Sequence, residues 1–153
     1  MSKKVANLVA TTLGVGYFPL APGTFAAAAS VIVWCILCFN IQHPYFWQLI
    51  LVPVFIYVGV ICSEKILLEN EKDPSHVVID EFAGQWISLL FISPSYISVL
   101  IGFVLFRVFD IAKPFGIRRM EKLNKGWGIM MDDVLAGVYS NLVLHFILFF
   151  HLW

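Results

Sequence analysis

The chain has 153 residues, of which 60% are hydrophobic and 13% charged, and its ten basic and ten acidic side chains cancel to a net charge of zero. An ordinary soluble domain carries about 25% charged residues. With a mean hydropathy of +0.86, too few polar groups remain to cover a water-facing surface. The composition therefore argues against a soluble fold, and the absent net charge gives no footprint for nucleic acid. It fits one integral membrane domain spanning residues 1–153.

In chain order, residues 5–13 predict a short helix. GVGYFPLAPGT follows, from Gly14 to Thr24, and its three glycines and two prolines bar a regular helix. Thr24 is the expected N-cap of the uncharged run Phe25 to Ile41. As a helix, that run extends about 26 Å, enough to span. Gln42-His43-Pro44 reads as a turn, and Tyr45, Phe46 and Trp47 suit an interfacial aromatic belt. Phe46 to Ser63 returns, with a kink expected at Pro53. Charge then appears at Glu64, Lys65, Glu69, Glu71, Lys72 and Asp73, and Asp73-Pro74 marks a loop. A second pair runs from Val77 to Ser93 and from Tyr96 to Asp110, joined at Ser93-Pro94-Ser95. Its charge-free cores are short for spans. The last run, Val134 to Trp153, has no charge. The expected architecture is all-α, a compact helical membrane bundle of about five helices. The opening MSKKVANLVATTLG lacks a signal-peptide pattern, so no cleaved signal is expected.

Threaded through a bilayer, this path puts the turns at 42–45 and 93–95 on one side. Residues 1–24, 64–81 and 107–133 fall on the other, and with them all twenty charged side chains. The positive-inside bias makes that side cytoplasmic. The helices beginning near Phe25, Val77 and Val134 all start there, so their free N–H groups face the same side and favour phosphate.

Half of the charged residues lie in thirty-four positions, Phe106 to Tyr139. Asp80-Glu81, Asp110 and Asp132-Asp133 form three acidic clusters on segments that converge in this topology. Clustered carboxylates repel unless protonated or neutralised by a cation. Oxygen-only ligands suit Mg²⁺, which also bridges to phosphate. The expected metal set is Asp80, Glu81, Asp110 and Asp133, with Asp132 a further ligand or a helix N-cap. The plainer reading makes Asp110 an intrahelical partner of Arg107 or Lys113. Arg107 and Lys113 flank Asp110 and are the expected phosphate-binding cations. The other basic residues, Arg118, Arg119, Lys122 and Lys125, fit an anionic lipid surface or a solvated loop equally well.

Gly84 and Gly137 follow Asp80 and Asp133 by four positions, which puts a glycine on each acid's helical face and predicts close helix approach. The backbone of the Gly14–Thr24 loop, with Gly23 and Thr24 at its end, is either a phosphate cradle or a plain connection. Cys35, Cys38 and Cys62 lie in apolar runs and read as small hydrophobes. None of His43, His76, His145 and His151 has metal-ligand spacing. No G-x-S-x-G elbow occurs, so neither a serine nor a thiol nucleophile is expected.

Three stretches resemble the phosphatidylglycerophosphatase A family: GVGYFPLAPGTFAAAAS (14–30), DPSHVVIDEFAGQWISL (73–89) and FRVFDIAKPFGIRRMEKLNKGWGIMMDDVLAGVYS (106–140). The third carries the specific patterns F-R-x-x-D-x-x-K-P and G-I-M-x-D-D-x-x-A-G. Phe115-Gly116 departs from an expected Trp-Pro, and Gly126-Trp127 from two glycines; both departures touch loop shape rather than the acids. The resemblance implies an all-helical Mg²⁺-dependent phosphatase of bacterial inner membranes. It would convert phosphatidylglycerophosphate to phosphatidylglycerol, with Asp80, Glu81, Asp110, Asp132 and Asp133 as its functional acids. Two other classes compete. A CDP-alcohol phosphotransferase also clusters aspartates, but its D-G-x-x-A-R pattern is absent. A cation or proton carrier would need an ionisable relay to the far side, and only histidines lie there.

Overall fold

Long uncharged runs fold here as the sequence dictates, into helices that satisfy their own backbone. The computed structural model describes residues 1–67 and 75–150, and among them finds seven α-helices, one 3-10 turn and no strand. The helices are α1 (Lys3–Ala10), α2 (Pro22–Asn40), α3 (Pro44–Ile66), α4 (Ile79–Ser88), α5 (Tyr96–Ala112), α6 (Ile117–Met120) and α7 (Gly126–Phe149), with the 3-10 turn at Val15–Tyr17. The expected loop at Asp73-Pro74, the charges Glu69, Glu71 and Lys72, His151 and the end of the final run lie outside the described residues.

Three helices, α2, α3 and α7, are long and apolar enough to cross a membrane. α3 continues through Pro53. Several boundaries differ from the sequence expectation. Thr24 is not the N-cap of α2. Ala21 is, at φ 46°, and Pro22 opens the helix, because proline's fixed φ and missing N–H suit the first helical position. α7 starts at Gly126, eight residues before Val134. Asp132 is therefore no helix cap, and both acids sit well inside the helix. α4 ends at Ser88 rather than Ser93.

α4 is short but central. Nine of its ten residues are buried, Asp80, Gln85 and Ser88 among them, so neighbours cover it on every side and its polar groups lie inside the bundle. It packs against α2, α3, α5 and α7. Phe55 of α3 stacks on Trp86 at 4.6 Å between ring centres. The closest approach is to α7. A Cβ at Gly84 would strike the Asp133 carbonyl and the Phe106 ring, and one at Gly137 would strike the Gly84 carbonyl. The glycines expected to allow close approach do so.

The two ends of the bundle differ in chemistry. At one end the turns following α2 and α4 meet: Tyr45 and Ser93 hydroxyls are 3.5 Å apart, and the Phe91 N–H donates to Gln48 Oε1 at 3.2 Å. Asn141 Nδ2 donates to the Ser88 and Leu90 carbonyls at 3.1 and 2.9 Å, closing the end of α4. At the other end lie the starts of α2, α4 and α7 and the ends of α3 and α5. There a Cβ at Gly126 would strike the Val60 carbonyl and the Glu64 side chain.

Candidate active site

The charged end is built around the first turn of α4. Asp80 and Glu81 occupy that turn, where the helix dipole favours negative charge. The strand of chain entering it is pinned from outside: the Val78 N–H donates to the Ala10 carbonyl at 2.9 Å, and a Cβ at Gly16 would collide with the His76 backbone. Ser30 of α2 holds the turn from behind, its hydroxyl donating to the Phe82 carbonyl at 2.7 Å. Neither Gly16 nor Ser30 shows itself as a support in the sequence. Their signal is only that small residues sit in a glycine-rich stretch and on an apolar helix.

α7 crosses α4 at Gly84 and Gly137, and that crossing delivers Asp133. Asp80, Glu81 and Asp133 each offer a carboxylate oxygen, and the three atoms lie within 4.8 Å of one another. Asp110, near the end of α5, interacts with both Asp133 and Glu81. Among the described residues, Glu81 Oε2 and Asp133 Oδ2 are buried without a hydrogen-bond partner. A hard divalent cation fits this donor set. It takes oxygen ligands only, it offsets the mutual repulsion, and it would engage oxygens that the protein leaves bare.

The glycine-rich loop closes the fourth side. A Cβ at Gly23 would fall on the Glu81 carboxylate, so the start of α2 lies directly against the acids. Thr24 follows as the third residue of that helix. Arg107 Nη1 lies 2.6 Å from Asp110 Oδ2, one helical turn away. Lys113, in a left-handed conformation at φ 45°, turns its ammonium onto two acids: Asp132 Oδ2 at 2.6 Å and Glu121 Oε1 at 2.8 Å. Burial works against the charge on Lys113, but the hydrogen bonds to Asp132 and Glu121 outweigh it and hold the pKa well above the ordinary lysine range. Asp132 therefore faces Lys113, beside the carboxylate trio. Glu121 has no distinguishing signal in the sequence beyond being the acid in a basic run.

These are the residues of the three sequence patterns, now in one place. A family model described as phosphatidylglycerophosphatase A matches residues 8–148, which contain the whole cluster. The chain belongs to the phosphatidylglycerophosphatase A family. Among its relatives is the Escherichia coli K12 phosphatidylglycerophosphatase A, 36% identical over 92% of this chain and 82% of its own length. The Haemophilus influenzae phosphatidylglycerophosphatase A is 39% identical over 90% of this chain and 85% of its own. A protein of Bacteroides thetaiotaomicron, provisionally named a phosphatidylinositol-3-phosphatase, is 42% identical over 90% of this chain and 89% of its own. No solved structure matches the chain significantly. Membership of the phosphatidylglycerophosphatase A family makes this protein a phosphatase of lipids. It removes the carrier and the CDP-alcohol transferase from consideration.

Proposed function

We propose that this protein is a Mg²⁺-dependent phosphatidylglycerophosphate phosphatase of phospholipid synthesis, multi-pass in a bacterial inner membrane, with its site open to the cytoplasm. The observation that supports it most is the convergence of Asp80, Glu81 and Asp133, two of them with bare buried oxygens, against the start of an apolar helix. Asp80, Glu81 and Asp133 would hold the metal, and Asp110 would complete the set. Mg²⁺ bound there supplies positive charge that polarises phosphoryl oxygens.

The chain's own groups do the rest. The Gly23 N–H at the start of α2 and the Thr24 hydroxyl meet the substrate's terminal phosphate, the Thr24 N–H being donated to the Ala21 carbonyl. Arg107 offsets charge on the phosphoryl group as it transfers. Lys113 stays protonated and adds to that field from beside Asp132. With Glu81 in the trio, Asp132 is the carboxylate left to accept the proton of the attacking water. The water oxygen bonds to phosphorus as the bond from phosphorus to the glycerol oxygen breaks. That oxygen takes up a proton from solvent water at the open end of the site and leaves as the lipid hydroxyl, while the phosphoryl group departs as inorganic phosphate. Hydroxylamine trapping of an acyl-phosphate at Asp80, Asp110, Asp132 or Asp133 would replace this route with a covalent one.

The Bacteroides relative's provisional name motivates a second reading, an inositol-lipid phosphomonoester as substrate. Phosphate release should be measured from phosphatidylglycerophosphate and from phosphatidylinositol 3-phosphate, each with and without Mg²⁺. We expect the first lipid to turn over faster and only with the metal. Preference for the inositol lipid would transfer the assignment to it. Full rates after chelation would remove the metal from the proposal.

A further inference from the structure

Directly beyond the site, α2 and α5 separate. Ala27 of α2 and Phe106 of α5 are buried in one apolar cluster close to the acids. Past that contact a groove of ≈740 Å³ opens between the two helices. Ala28, Val31, Cys35 and Phe39 form its α2 wall, and Val99 and Phe103 belong to its α5 wall. Spacings of three and four residues put each set on one helical face.

Two measures tie this groove to the site. The first is position. Ala28 is one helical turn beyond Thr24, and Phe103 one turn before Arg107. The groove thus begins one turn from Thr24 and Arg107, two of the residues that would meet the phosphate, and on the same two helices. The second is length. Ala28 to Phe39 covers about 16 Å of helix, close to one leaflet of a hydrocarbon core about 30 Å thick. A fatty acyl chain has that reach and that chemistry.

We propose that the α2–α5 groove seats an acyl chain of the lipid substrate, and so fixes the distance from the glycerol backbone to the acids. This rests on the phosphatase reading above. The groove makes the enzyme favour long-chain lipids: a chain lying between α2 and α5 holds the headgroup at the charged end, and a chain too short to fill the groove is held less tightly. Binding energy gained in the groove then orients the phosphomonoester among the groups that meet its phosphate.

The test compares long-chain and short-chain phosphatidylglycerophosphate. Val99→Trp fills the middle of the groove. It should raise KM for the long-chain lipid about tenfold with kcat held, and change KM for the short-chain lipid by less than about twofold. Val54→Trp, on the exposed face of α3, is the control and should change neither. To separate the groove from any effect of the variant on folding, the wild-type protein is probed directly with a long-chain phosphatidylglycerophosphate bearing a diazirine midway along the acyl chain. Label should map to residues 28–39 and 96–103. Excess unmodified substrate should suppress it, and phosphatidylcholine should not. Equal KM changes for both chain lengths, or label spread as heavily over α3 as over α2 and α5, would overturn the groove. A wild-type enzyme that releases no phosphate from either lipid sinks the phosphatase reading instead, while the photolabel still reports whether the groove binds.

Discussion

Glu81 Oε2 and Asp133 Oδ2 are buried without a hydrogen-bond partner, and such an atom costs about 1–3 kcal/mol. A metal relieves that cost, so two opposite effects follow from one substitution. Asp133→Asn keeps the shape and removes a charge. Without metal it should melt at a higher temperature than the wild type, because a repulsive carboxylate is gone. With Mg²⁺ the wild type should gain stability and the variant little, as ligand binding to the folded state requires. Phosphate release by the variant should fall by about a hundredfold or more. Calorimetry with and without Mg²⁺, beside an activity assay, checks all three, and a variant with wild-type activity at limiting Mg²⁺ would take Asp133 out of the site. Gly23 permits a different test. Gly23→Ala puts a methyl where the Glu81 carboxylate lies. We expect activity to drop about tenfold or more with helical content unchanged in circular dichroism; unchanged activity would show that Glu81 can shift without cost.

At the scale of elements, the crossing of α4 and α7 sets the site's geometry. Each backbone fills the space where the other's Cβ would go. Gly84→Leu must push the helices apart, and should lower thermal stability and abolish activity together, whereas Ser140→Ala, further along α7, should leave activity intact. How far the sequence disclosed these elements depended on where charge and hydropathy coincide with helix ends. α2, α3 and α5 were legible because their long apolar runs are bounded by polar or proline-containing turns, with charge only near the ends of α3 and α5. α7 was not, because its helix runs on through Asp132 and Asp133 to Gly126. Charge marks polarity, not the end of hydrogen bonding. α4 was overestimated because its apolar run continues to Ser93, while Asn141 and Gln48, from other helices, bind the backbone that follows Ser88. Those contacts are tertiary and leave no local trace. The acids were legible as a set. Their division was not, since only the fold turns Asp132 to Lys113 and Asp133 to the trio. The turn at Phe115-Gly116 also depends on this chain's own residues: Gly116 sits at φ 89°, where a proline cannot go.

For the whole molecule, the two ends predict an orientation. The end holding Ser93 to Ser95 and Tyr45 should face away from the cytoplasm and the acids toward it. A cysteine placed at Ser95 should react with impermeant reagents only from outside sealed cells; labelling from the cytoplasmic side alone would invert the arrangement. The gathering of α2, α4 and α7 starts at one end has an electrical consequence. In the proposed function, substrate phosphate and attacking water would reach the carboxylates, and released phosphate would leave them, at that end, and none would have to pass the apolar length of the bundle. Each elementary charge moved across the full bilayer is worth about 2.3 kcal/mol per 100 mV. A reaction that begins and ends on one side moves almost none through the field. Turnover in proteoliposomes should therefore be the same at zero potential and at a clamped potential of either sign, so that a cell whose membrane has depolarised would still complete this step of lipid synthesis.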